Sequence, residues 1–161
     1  MSDLARFKLG FFDRQKVLKP ADRAARRVLS KFGAFVRTTA RTSIRYGKKS
    51  SAPGAPPTAH RGASRVKTNK KGVSKRQAYS PLRDFLFFAY EPTRQNVVIG
   101  PALLRDRGGG RGLQALEDGG PVTLGKGARA KQVRLRAFPF MGPAFRRELK
   151  TLPALWAGSI K

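Results

Sequence analysis

Between Asp22 and Asp84 the chain carries seventeen lysines or arginines and not one acid. Any fold must leave this charge at the surface, because a cation withdrawn from water without a partner is strongly destabilising. Over all 161 residues, 35 Lys+Arg face 9 Asp+Glu, a formal charge of +26. Self-repulsion on that scale disfavours compactness unless something negative or a partner subunit offsets it. Nucleic acid, an anionic membrane or an assembly with acidic surfaces would serve. The length fits one domain, 1–161, and 40% apolar residues suffice for one modest core.

The absence of cysteine removes disulfides, thiolate metal sites and thiol nucleophiles. The segment from Met1 to Phe12 mixes Asp3, Arg6 and Lys8 with apolar residues and has no continuous apolar core of a signal peptide. The longest apolar stretch, Phe85 to Tyr90, is well short of the ~20 residues needed to cross a bilayer. A soluble protein made in a cytoplasm, with no membrane partner, is expected.

After an N-terminal segment (1–19), one long helix is expected over 20–46. Val28, Phe32, Phe35, Val36, Thr39 and Ser43 recur at three- and four-residue spacing on one face. Pro20 suits the first turn and Gly47 the stop. Arg23, Arg26, Arg27, Arg37, Arg41 and Arg45 fill much of the remaining circumference, as a solvated outer face would. Over 47–80 the periodicity gives way to Pro, Gly, Ser, Ala and Lys. This reads as a long basic arm, mobile until it meets a partner.

Antiparallel strands are expected over 81–138. Leu82 to Tyr90 and Asn96 to Gly100 form a hairpin about the turn-rich Glu91 to Gln95. Val122 to Leu124 is a short strand, and Gln132 to Phe138 alternates apolar with basic residues as a further strand. A C-terminal helix is expected over 143–157, opened by Pro143 and kinked or ended by Pro153. The fold class is therefore α+β: a long N-terminal and a C-terminal helix packed on a small antiparallel sheet, with a long basic arm.

Little in the chain suggests catalysis. The single histidine, His60, sits in the proline-rich arm with no catalytic pattern around it. Glu117 and Asp118 are neighbours whose side chains diverge in most backbones, and without His or Cys they make a poor metal site. Pairing with arginines of another subunit suits them better. The glycine-containing stretches 108–112, 119–120 and 125–127 lack the phosphate-loop pattern. No enzyme activity and no cofactor or metal are expected. What remains is the arm, with Lys48, Lys49, Arg61, Arg65, Lys67, Lys70, Lys71, Lys75 and Arg76. These are candidates for DNA or partner contact through phosphates or acidic groups, without sequence specificity. Tyr79 is the arm's one aromatic, so base stacking is poorly supported.

One ordered run of motifs points further. Phe32-Gly33-Ala34-Phe35-Val36-Arg37 and Ala40-Arg41-Thr42-Ser43-Ile44 lead to Ala52-Pro53-Gly54-Ala55-Pro56-Pro57 and His60-Arg61-Gly62. Then come Val97-Val98-Ile99-Gly100-Pro101, Ala115-Leu116-Glu117-Asp118-Gly119-Gly120, and Ala137-Phe138-Pro139-Phe140-Met141-Gly142-Pro143-Ala144. From about residue 20 to 150 the chain resembles the neck or tail-completion proteins of long-tailed bacteriophages, the minor tail protein Z-like group and its head-tail joining relatives. In that family the last motif reads Arg-Pro-Phe-Met, whereas here the arginine is displaced to Arg136. The resemblance implies a virion protein made in the host cytoplasm. It would form a homo-oligomeric ring, a hexamer or dodecamer, between the head-tail connector and the tail tube or tail terminator, with genomic DNA passing through the bore. The same charge also suits a free basic nucleic-acid-binding protein, ribosomal or nucleoid-like.

Overall fold

The computed structural model describes residues 14–59, 63–68, 72, 74–102, 111–124, 130–157 and 159. Along the chain run α1 (Arg14–Ser43), β1 (Ala63–Thr68), β2 (Ser74–Tyr79), α2 (Pro81–Asp84), β3 (Leu86–Glu91) and β4 (Asn96–Pro101). There follow α3 (Arg111–Asp118), β5 (Gly120–Leu124), β6 (Lys131–Leu135), α4 (Met141–Leu149) and α5 (Leu152–Trp156). The strands pair antiparallel as β1–β2, β3–β4 and β5–β6. The class is α+β, and the expected small sheet is divided among three two-stranded ribbons.

Helix α1 is 30 residues long, about 45 Å at 1.5 Å per residue. It starts upstream of the expected 20, so Pro20 lies inside it. Arg14, Gln15, Lys16 and Leu18 are good helix formers, and they extend the helix past the one backbone bond that Pro20 removes. It ends at Ser43 rather than at Tyr46. The hydroxyls of Thr42 and Ser43 donate to the carbonyls of Thr39 and Ala40, a local alternative to continued helix.

The buried stripe of α1 is Ala24, Val28, Phe32, Val36 and Ala40, continued by Ile44 just beyond it. These positions are four residues apart, and each such step advances ~40° on a 3.6-residue helix. The stripe therefore winds around α1, and two different layers cover it. The β3–β4 hairpin takes one side. Gly33 allows this approach, since a Cβ there would stand 2.7 Å from Val97 Cγ2 and 3.0 Å from Phe88 Cδ2. Helix α4 takes the next side, with Phe145 edge-on to Phe32 at 5.7 Å and Glu148 accepting the Thr39 hydroxyl at 2.7 Å. Phe35, expected inside, lies partly exposed with Lys31 Nζ over its ring.

Phe140, Leu86, Ala144 and Ala59 close the core around Phe32, Val36, Ala40 and Ile44. Within β3–β4 the register pairs Leu86 with Pro101, Phe88 with Ile99 and Tyr90 with Val97. That set covers α1, and the alternate set leaves Phe87 and Val98 exposed at 50% and 59%. Leu82 belongs not to the strand, as expected, but to the short helix α2, opened by Pro81. Asp84 holds α2 in place by accepting from the Ser80 N–H and from Arg41.

The segment expected as a single mobile arm is divided. Residues 47–59 form a closed loop: the Gly47 N–H donates to Ala59 O, the Ala59 N–H donates to Arg45 O, and the Gly54 N–H donates to Ala137 O. Prolines limit what such a loop loses in entropy on ordering, and burial of Ala59 and Pro57 holds its far end. Residues 63–79 then contain the β1–β2 hairpin.

Within 81–138, residues expected to be wholly strand and turn, Arg111–Asp118 is helical. The C-terminal helix begins at Met141 rather than Pro143, and it breaks at Lys150 and Thr151 into α4 and α5. Pro153 sits in the first turn of α5, where its missing N–H is harmless.

Candidate nucleic-acid and partner interfaces

Five of the six acids among the described residues bond within the chain. Asp22 accepts from Gln95 Nε2 at 2.7 Å, tying the β3–β4 turn to α1. Asp84 binds Arg41 at 3.2 Å, Glu91 lies 3.8 Å from Arg94, and Glu148 receives Thr39. Glu117 takes the backbone N–H groups of Phe140, Met141 and Gly142 at 2.9, 3.1 and 2.7 Å. Those are three of the four donors that a helix start leaves without internal partners, and the fourth residue, Pro143, has no N–H. One carboxylate from the end of α3 thus completes the N-terminus of α4.

Both carboxylate oxygens of Glu117 are thus engaged within its own chain. Asp118 is exposed. It shares a cleft of about 560 Å³ with Arg134 and Arg136, so arginines of its own chain stand on the walls beside it. Among the described residues no group of three or more His, Asp or Glu could hold a metal ion, and no helix is long and apolar enough to cross a membrane. His60 lies outside the described residues.

The arm's candidate cations fall into three sets. Lys48 and Lys49 are exposed on the closed loop immediately after α1. The β1–β2 register sets Lys67 opposite Lys75, Arg65 opposite Gln77 and Arg76 opposite Val66. Arg61, Lys70 and Lys71 lie outside the described residues.

A second basic surface was legible in the sequence only as a solvated helix face. At 100° per residue, Lys19, Arg23, Arg26, Arg27 and Lys31 fall within a sector of roughly 140° on α1, and all five are exposed. That sector faces away from both the β3–β4 hairpin and α4. Three successive four-residue steps set cation beside cation: Lys19 and Arg23, Arg23 and Arg27, Arg27 and Lys31. Each such like-charge pair destabilises a helix by about 0.2–0.5 kcal/mol. Arg37 and Arg41 extend the same sector but bend to acceptors of the chain itself, the Leu86 carbonyl and Asp84.

Apolar surface gathers elsewhere. Phe87 and Val98 stand on the outer face of β3–β4, and Phe145, Leu149 and Trp156 are partly exposed on α4 and α5. From Phe85 to Leu104 the chain holds one cation, Arg94, and one acid, Glu91. A nearly uncharged face is unusual on a molecule this basic. Comparison with known proteins finds no matching family model, no similar curated protein and no similar solved structure.

Proposed function

We propose that this chain is a non-enzymatic structural protein of the neck of a tailed bacteriophage. It works as a homo-oligomeric ring that joins the head connector to the tail tube or tail terminator and surrounds the DNA path. The observation that carries this reading is the division of its surface. Five of the six acids among the described residues bond within the chain, most of the cations stay outward, and the exposed Phe87 and Val98 stand on the nearly uncharged β3–β4 hairpin. Such a molecule is suited to fitting against other macromolecules, with apolar patches for protein neighbours and basic ones for phosphates. The resemblance of its motif order to that of tail-completion proteins is what suggests the neck as its place.

Native mass spectrometry of the purified chain without nucleic acid tests the ring, and proteomics of purified particles tests the location. Closed oligomers and a stoichiometric presence in virions are expected. A monomer that binds bare DNA tightly and never assembles would instead favour a free nucleic-acid-binding protein. Absence from particles would end the neck reading.

A further inference from the structure

The basic residues that the sequence singles out for DNA lie in the arm, yet a second cationic surface lies on α1. We propose that the exposed face of α1 formed by Lys19, Arg23, Arg26, Arg27 and Lys31 is a docking surface for the phosphate backbone of duplex nucleic acid. This rests on the reading that the chain works beside DNA, and it assigns the contact to a particular face.

Three observations carry it. First, the face has no structural use: none of the five forms an ion pair or hydrogen bond with a described residue, whereas Arg37 and Arg41 further along the same sector do. Lys31 Nζ only lies 5.9 Å over the Phe35 ring. Second, stacking cation on cation at every fourth residue opposes helix formation, and a row of phosphates relieves that repulsion by exchanging its counterions for the side chains.

Third, charge and shape favour nucleic acid over an acidic protein. The face is convex, and between its cations stand Pro20, Ser30 and Ala34, with Phe35 at its edge beneath Lys31. Stable protein interfaces centre on desolvated apolar anchors, and most of the exposed large apolar side chains lie instead on β3–β4 and α4–α5. Phosphate contact needs no such anchor. Lys19 and Lys31 are about 18 Å apart along the helix, enough to meet between about three and five phosphates of one strand, depending on the crossing angle.

The experiment measures binding of the full chain to a 30-base-pair duplex of arbitrary sequence by fluorescence anisotropy between ~50 and ~300 mM salt, the range in which counterion release is read. The triple variant R23Q/R26Q/R27Q keeps helix propensity and removes three charges, and K48Q/K49Q serves as the arm control. The triple variant is expected to flatten the log–log salt slope by roughly 2–3, with an unchanged thermal melt and a larger loss than the control shows. An unchanged slope, or an equal or greater loss in K48Q/K49Q, overturns the proposal. So does a polyglutamate competitor that displaces the duplex at equal charge concentration. Ring assembly is scored separately on the same variants: failure to form rings with an intact slope effect refutes the neck reading and leaves the α1 face standing.

Discussion

Glu117 Oε1 accepts the backbone N–H of Gly142 at 2.7 Å, and that contact joins two elements that are otherwise separated by the β5–β6 ribbon. The approach is close: a Cβ on Gly142 would stand 3.2 Å from the same oxygen, tight enough that the carboxylate would have to shift by a few tenths of an ångström. Through Glu117 the end of α3 sets where α4 begins, and α4 in turn covers α1. In a chain with 9 acids, giving one to a helix start is a structural commitment.

Replacing Glu117 with alanine should therefore destabilise the fold by about 2 kcal/mol, the scale of a lost helix cap with charged acceptors. Urea denaturation measures it. Asp118→Ala, a change at an exposed neighbour, should stay within about 0.5 kcal/mol. Equal effects at the two positions would contradict the assigned geometry.

Gly33 is the point where α1 meets the β3–β4 hairpin. Gly33→Ala should lower stability by about 1–3 kcal/mol through overpacking against Val97 and Phe88, even though alanine is the better helix former. Adding Val97→Ala should recover part of this loss, so that the double variant is more stable than the two single effects sum to. Strict additivity would place the contact elsewhere.

Phe140 is 2% exposed at the centre of the core, and Phe87 is 50% exposed on the hairpin's outer face. Phe140→Ala should cost about 3–5 kcal/mol, while Phe87→Ser should hardly change the melt of the monomer. If the outer face of β3–β4 is where protein neighbours sit, Phe87→Ser should weaken assembly without lowering stability, as sedimentation velocity would show.

With a charge of +26 and few ion pairs among the described residues, general screening should stabilise this protein. The Debye length shrinks from about 10 Å at 0.1 M salt to about 3 Å at 1 M, and the melting temperature is expected to rise across that range. A fall would mean that internal ion pairs outweigh the self-repulsion.

The two end helices, the β3–β4 hairpin and the strand candidates near 122 and 132 were legible because their apolar residues repeat at helical or alternating period. Helix α3 was not legible, since Arg111 to Asp118 is only eight residues long, contains Gly112 and offers just Leu113, Ala115 and Leu116 as apolar residues. Ala24 and Ala40 were missed as core for a related reason: alanine carries little hydrophobic signal, yet it allows close packing. The closed loop at 47–59 was read as part of a mobile arm because its order depends on bonds to Arg45 and Ala137, partners that local composition does not reveal.

By itself, the amino-acid sequence determined the class of this fold, its long helix and the sign of its surface, because period and charge are local properties that every conformation inherits. Only the tertiary structure decided which charges stay free. Glu117 and Asp118 are neighbours in the chain, but one caps α4 and the other faces solvent. Arg37 and Arg27 share a helix sector, but one is bound to Leu86 and the other is open. Hydrogen bonds act over about 3 Å, so a side chain's role is set by whatever distant element folding brings within that reach.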